Sequence, residues 1–267
     1  MKTTRTAPLA ALVLLLAACA TQAPIPAPED DLGLFWVKHA AEYEAVTRQV
    51  YGMATRALPG FIADKSWSAL PWQTGAEDLP VAVILDVDET VINNVDFQIN
   101  YERPFDNYKL DFWDRDHTAQ PVPGVVEFVR SARAAGVTTF FLTNRPCEQY
   151  AGEDEACPQK QTVIKGLEEL GIPTEPEFVS LAEEQQHWKR EKLVRRQLIG
   201  ESYRVIMVIG DDLGDFVPCV RKKVVEPCTA PGTRVSRAAA LDEYAEYWGN
   251  GWYILPNPMH GSWTSVR

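Results

Sequence analysis

The 267-residue chain is short of several things, and each shortage excludes a class of protein. It has only 5 cysteines, 4 methionines and 4 histidines, too little thiol for a small disulfide knot. Basic residues number 26 against 37 acidic ones, a formal charge of −11 with a pI near 4.9. A nucleic-acid backbone is therefore not the expected partner, since its binders present a basic face. A small phosphorylated ligand stays open, because a bound cation reverses the local sign of a site. No internal repeat is apparent, and no apolar run reaches the ~20 residues of a membrane helix. What remains, 46% hydrophobic and 24% charged residues, fits one globular α/β domain or a tightly joined pair rather than a disordered chain or a coiled coil.

The N-terminus reads as an export signal. Lys2 and Arg5 precede ten apolar residues, Leu9 to Ala18, which end at Leu16-Ala17-Ala18-Cys19. That ending resembles the bacterial lipoprotein signal, in which the cysteine is acylated and becomes the new N-terminus; the alternative is an ordinary cleaved signal with an incidental cysteine. Ala20 rather than Asp follows, which by lipoprotein sorting rules implies the outer membrane, with the lipid as the only membrane attachment. Residues 1–18 are then the signal peptide and residues 19–31 the acylated cysteine and a proline-containing tether. The mature chain of 249 residues keeps 24 basic and all 37 acidic side chains, a charge of −13.

Residues 32–267 form the expected folded domain. Leu34, Phe35, Val37, Ala41, Tyr43, Val46, Val50 and Tyr51 recur at helical spacing in a segment ending before Pro59-Gly60, within an N-terminal helical region of 32–78. Val81 to Leu85 is a continuous apolar run that suggests a strand buried on both faces. Further strands are expected at 137–142 and 205–209, with weaker candidates at 178–179 and 224–225; helices are expected at 124–135, 159–170 and 189–199. Such alternation implies a Rossmann-like parallel sheet with helices on both faces and a site beyond the carboxyl ends of the strands.

Polar motifs stand at those ends. Asp86 and Asp88, in Asp86-Val87-Asp88-Glu89-Thr90, share one side of the chain. One carboxylate can attack phosphorus, and the other can protonate the leaving oxygen and then deprotonate water. A hard cation with oxygen ligands would neutralise the phosphate charge. A solvated acidic turn is the plain alternative. Against it stand Thr143-Asn144-Arg145 after a second strand, Gly210-Asp211-Asp212-Leu213-Gly214-Asp215 after a third, and Lys189-Arg190-Glu191-Lys192 between them.

In this order the motifs resemble the haloacid-dehalogenase superfamily. The runs at 83–94, 142–145 and 210–216 look like its class C acid phosphatases, bacterial lipoproteins that include outer-membrane 5′-nucleotidases. The resemblance implies Asp86 as nucleophile and Asp88 as general acid/base. It implies Mg²⁺ held by Asp86, the main-chain carbonyl of Asp88, and Asp211. Thr143 and a lysine would hold phosphoryl oxygens, with Asn144 and Arg145 also on the substrate. Lys189 is preferred over Lys192 from the spacing to Lys192 and Arg195, and the choice stays open. Two positions depart from the family pattern: Asp212 stands in an Asn place, and Arg190 follows Lys189 where a small hydroxyl residue is usual.

A smaller, largely helical cap is expected mainly at 93–122. It carries Phe97, Tyr101, Phe105, Tyr108, Phe112 and Trp113 together with Arg103 and Lys109. Phe97, Tyr101, Tyr108 and Trp113 are the candidates for stacking on a planar base, although they could equally be the cap's own core. Trp252 and Tyr253 are further candidates. The histidines are scattered, with no Arg-His-Gly motif, so a histidine-based phosphatase mechanism has no support. Four cysteines remain after Cys19. Three pairings are open, of which Cys147–Cys157 and Cys219–Cys228 are the local one; no Cys-x-x-Cys spacing suggests zinc. The activity expected is a Mg²⁺-dependent phosphomonoesterase acting through an aspartyl phosphate on nucleoside 5′-monophosphates or nicotinamide mononucleotide. The alternatives are a broad acid phosphatase and a non-catalytic surface-binding lipoprotein or adhesin. Asp88 argues against a dehalogenase, which needs no acid/base there. Class C relatives often dimerise, so a homodimer is compatible with the resemblance.

Overall fold

A computed structural model of the chain describes residues 31–101 and 105–266. The signal, Cys19, the tether up to residue 30, and Arg103 lie outside the described residues. Five parallel strands, β1 (Val81–Asp86), β2 (Thr138–Pro146), β3 (Val179–Ala182), β4 (Arg204–Gly210) and β5 (Trp252–Ile254), form one sheet in the order β3-β2-β1-β4-β5. β1 thus lies at the centre, between β2 and β4.

Alternation along β1 divides the core. Val83 and Leu85 join Phe141, Met207 and Ile209 against Tyr51 of α2 (Ala41–Ala63), Phe128 of α5 (Val125–Ala134) and Val163 of α6 (Pro158–Glu169). Ala82 and Ile84 face the other way with Phe140, Leu142 and Val208, against Ile199 of α7 (Leu193–Ser202) and Ala240 of α8 (Arg234–Glu243). A strand covered on both faces needs no polar alternation, which explains the continuous apolar run. The short helices α3 (Val95–Asn100) and α4 (Asn107–Asp116) lie in the segment expected to form the cap, and α1 (Leu32–His39) packs on α3. No helix among the described residues is long and apolar enough to cross a membrane.

Three expectations change. The N-terminal helical segment breaks at Ala40, and α2 runs through Pro59 to Ala63. Proline removes one ladder bond, but the buried Arg204 guanidinium holds the helix end by donating to the carbonyls of Phe61, Ile62, Asp64 and Trp67. The fifth strand is Trp252–Ile254, whereas 224–225 lie in a loop closed by the Cys219–Cys228 disulfide. Trp252 anchors that edge from full burial, its indole N–H donating to the Ala69 carbonyl at 2.7 Å. The third concerns the helix expected from 189: it begins at Leu193, so Lys189 and Arg190 precede it. Both local disulfides form, Cys147–Cys157 and Cys219–Cys228, each beyond the carboxyl end of a motif-bearing strand.

The loop after β1 is tied to α2 by the Tyr51 hydroxyl, which donates to the Thr90 carbonyl at 2.7 Å in a fully buried setting. Tyr51→Phe leaves that carbonyl unpaired and is expected to cost about 1–2 kcal/mol, read as a lower denaturant midpoint with unchanged slope.

Candidate active site

The carboxyl ends of β1, β2 and β4 converge. Asp86 is the last residue of β1, and Asp211 follows Gly210 at the end of β4. Carboxylate oxygens of Asp86, Asp211 and Asp215 lie within 4.8 Å of one another. Gly210 is required here, because a Cβ at that position would stand 2.3 Å from Asp215 Oδ2. The lysine that reaches this cluster is Lys192. Its Nζ donates to Asp86 Oδ1 and lies 2.7 Å from Asp215 Oδ1, with a side chain only 2% exposed. Lys189 instead pairs with Glu183 at the surface, 35% exposed. The sequence preference for Lys189 is therefore corrected: with α7 starting at Leu193, residue 192 caps the helix and faces the strand ends.

One lysine does not neutralise three carboxylates. Burial, followed by the charges of Asp215 and Asp88, raises Asp86 to about 7 despite Lys192. Burial and the Asp86 and Asp215 charges push Asp211 well above the usual carboxylate range. Lys192 is held above its ordinary value, since Asp215 and Asp86 outweigh its burial. Asp211 also accepts from Thr90 Oγ1 at 3.2 Å and Asn257 Nδ2 at 2.7 Å. A hard divalent cation fits this oxygen-rich, charge-deficient donor set. Of the expected carboxylate ligands Asp86 and Asp211 are present, and Asp215 joins them in the cluster.

The Asp88 side chain turns the other way. It accepts from Thr143 Oγ1 at 3.0 Å, Asn94 Nδ2 at 2.9 Å and Arg145 Nη2 at 2.7 Å. Burial alone would raise its pKa, but the Arg145 charge and these three donors hold it below the usual carboxylate value. Arg145 also donates from Nη1 to Asp114 of α4 at 2.6 Å, so it joins the cap to the core. Expected on the substrate, Arg145 is occupied by these two carboxylates. Asn144 Oδ1 accepts from buried Arg195 at 2.9 Å, and Arg195 also donates to the Thr143 carbonyl at 2.6 Å.

Over these residues opens a cavity of about 310 Å³, lined by Asp88, Glu89, Asn144, Arg145, Arg190, Arg221 and His260, with Phe105 from the cap. Another cavity of about 640 Å³, between residues 72–79 and α7, carries Glu201 as its only ionisable side chain and offers no comparable chemistry. The aromatic candidates divide. Phe97, Tyr101 and Trp113 pack on one another, with ring centroids 4.6–6.1 Å apart, and Phe97 and Trp113 line a separate cap cavity of about 270 Å³. Tyr108 packs at a tilt on Phe112 and edge-on against Tyr150. None of these four lines the 310 Å³ cavity. Trp252 and Tyr253 are buried in the core. Sequence reasoning passed over His260, which sits 6.4 Å from Phe105 by ring centroid and bonds Glu89 Oε1 through Nε2 at 3.2 Å. It also passed over Asn257 and Asn94. No local pattern marks them, since tertiary folding alone brings residue 260 to residue 89.

The fold and site define a haloacid-dehalogenase-type phosphotransferase, and the chain belongs to subfamily IIIB of that superfamily, the acid phosphatases, whose family model matches residues 31–263. As a member of that acid phosphatase family it is a phosphomonoesterase. It is similar to the class C acid phosphatase from Bacillus anthracis, at 25% identity over 87% of this chain and 85% of that one, with TM-score 0.68. The same enzyme solved with tungstate bound matches with TM-score 0.69 over the same shares, again at 25% identity.

His260 generates a pH signature. Burial lowers its pKa, but the Glu89 hydrogen bond and charge outweigh this and raise it. A raised histidine pKa stabilises the fold below the unfolded value near 6.5, and that contribution is lost as pH rises through the folded value. The stability difference between wild type and His260→Gln should therefore shrink from about pH 5 to about pH 8, by no more than about 1 kcal/mol for this part-exposed pair. Urea titrations at several pH values read it; a difference that grows with pH would contradict the pairing.

Proposed function

We propose that the protein is a Mg²⁺-dependent phosphomonoesterase that uses Asp86 as nucleophile and acts on nucleoside 5′-monophosphates or nicotinamide mononucleotide. The observation that carries this reading is the Asp86–Asp211–Asp215 cluster set against Lys192 at the strand ends. Asp86 and Asp211, with Asp215 beside them and the Asp88 carbonyl as a further ligand, would hold a divalent cation, whose positive charge would let an anionic substrate approach an acidic site. Asp86 attacks phosphorus, and the ester P–O bond breaks to leave a phosphoryl group on its carboxylate. Lys192 and Thr143 stand beside Asp86 and Asp88 respectively and can donate to phosphoryl oxygens. Asp88 gives a proton to the leaving oxygen and takes one from the water that hydrolyses the aspartyl phosphate. Because Arg145 holds Asp88 below the usual carboxylate pKa, its protonated form grows as pH falls. That direction supports an acidic optimum for the first half-reaction.

Recognition of a planar base is assigned to Phe105 and His260. Their ring centroids are 6.4 Å apart, at a 32° tilt, and two rings flanking a third need about 7–8 Å. A small opening of the cap would admit a base. The Bacillus anthracis relative has been solved with tungstate, an oxyanion, bound, which is in keeping with an enzyme that takes a phosphoryl group. Residues 1–18, read as a lipoprotein signal, support anchorage through acylated Cys19 at the outer membrane, where dephosphorylation would precede uptake of the neutral nucleoside. A broad acid phosphatase with no nucleotide preference is the second reading, favoured by the mutual packing of the cap aromatics Phe97, Tyr101 and Trp113.

The test is turnover of nicotinamide mononucleotide, AMP, a sugar phosphate and an aryl phosphate by the mature protein, with Mg²⁺ or with chelator. Nucleotide preference and Mg²⁺ dependence are expected, equal rates on all four would favour the broad enzyme, and no turnover of any would remove the catalytic reading. Asp86→Asn is expected to abolish activity with the fold intact. Lys192→Met should lower kcat by about 10²–10³-fold, whereas Lys189→Met should change it less than about threefold, as a surface pair predicts. The reverse ranking would return the phosphate role to Lys189.

A further inference from the structure

Two sequence departures from the family pattern, Arg190 and Asp212, meet at one place. Glu191 accepts from the Cys219 backbone N–H at 3.0 Å, so the segment before α7 lies against the start of the disulfide loop 219–228. Arg190 is adjacent to Glu191, and Arg221 is two residues beyond Cys219; both line the 310 Å³ cavity that holds Asp88. Asp212 lies 3.6 Å from the Arg221 guanidinium, outside hydrogen-bond length. The Asp212 oxygens are taken by the backbone N–H groups of Gly214 and Ser262.

The loop that presents Arg221 is fixed. Its carbonyl accepts from Gly232 N at 2.7 Å, the neighbouring Val220 carbonyl accepts from Arg237 at 3.0 Å, and the Cys219–Cys228 disulfide closes the segment. Gly232 belongs to that fixation, since a Cβ there would stand 2.3 Å from the Val220 backbone. At the same cavity the carboxylates are already matched: Asp88 by Arg145 and Glu89 by His260. Arg190 has no ion-pair partner among the described residues, and Arg221 keeps donors that Asp212 does not engage. With Arg221 ion-paired to Asp212 at 3.6 Å and Arg190 unpaired among the described residues, the lining of this cavity carries a guanidinium charge that its carboxylates do not match, and both planar forks fit phosphate oxygens.

We propose that Arg190 and Arg221 form a second anion subsite, which selects phosphomonoesters bearing a second phosphate, as in a nucleoside 3′,5′-bisphosphate. This rests on the reading of Asp86 as the point of hydrolysis. With the 5′-phosphate at Asp86 and the 3′-phosphate between the arginines, water cleaves the 5′ ester. The products are the nucleoside 3′-monophosphate and inorganic phosphate, and the distal phosphate is held but not transferred.

The experiment compares adenosine 3′,5′-bisphosphate with AMP on the full mature chain with Mg²⁺, in wild type, Arg190→Ala, Arg190→Lys and Arg221→Ala. Wild type is expected to show a KM for the bisphosphate about tenfold below that for AMP. Each alanine variant should reduce that ratio severalfold, mainly through KM, and Arg190→Lys should restore part of it. Calorimetric binding of both ligands to Asp86→Asn, alone and combined with Arg190→Ala, reads the same ratio without turnover. If wild type hydrolyses neither compound, the phosphatase reading fails while the calorimetric ratio still decides the subsite. Equal affinity for the two ligands, or a ratio that neither Arg190→Ala nor Arg221→Ala changes, would overturn the proposal.

Discussion

Three carboxylates, those of buried Asp86 and Asp215 and of part-buried Asp211, set beside one buried lysine, fix the terms for the rest of this structure. Asp86, Asp211 and Asp215 lie within 4.8 Å of one another, and Lys192 supplies a single positive charge. Burial and the neighbouring negative charges raise Asp86 and Asp211 above the usual carboxylate range. The fold sustains the cluster because each member sits at or just beyond a strand end or a helix start. Gly210 lets Asp215 fold back, the Asp212 backbone N–H donates to Asp215 at 3.0 Å, and Thr90 and Asn257 hold Asp211. A site short of positive charge is a site prepared for a cation and then for a phosphate.

The opposite balance holds around Asp88. There Arg145 is nearly fully buried and bridges Asp88 to Asp114 on α4. The group proposed as acid/base and helix α4 thus share one guanidinium. Arg190 and Arg221 line the cavity that also holds Asp88 and Arg145, so a net acidic chain sets cationic side chains beside its proposed acid/base.

The sheet was legible in the sequence wherever a strand is covered on both faces. The apolar runs ending at Asp86, Leu142 and Ile209 needed no partner to be recognised, and their ends located Asp86, Asp88, Thr143 and Asp211 near one point. β5 was not legible, because three residues at an edge carry little pattern and 224–225 offered a similar apolar pair. Lys192 was obscured by a helix start that tertiary contacts fix: the Glu191 bond to Cys219 keeps the preceding residues out of the helix. Among the aromatics, composition marked the cap but could not separate rings that pack on each other from Phe105, which lines the cavity. His260 lies 171 residues from its partner Glu89, a separation that no local motif spans.

The central claim is that Asp86, Asp211 and Asp215, set against a single lysine, form a site short of positive charge that takes up a divalent cation. Calorimetric titration of Mg²⁺ into the mature protein near neutral pH, in buffers of different ionisation enthalpy, tests it directly. The account predicts one cation bound per chain with release of protons, and loss of both in Asp211→Asn. Binding without proton release, or no binding at all, would contradict it.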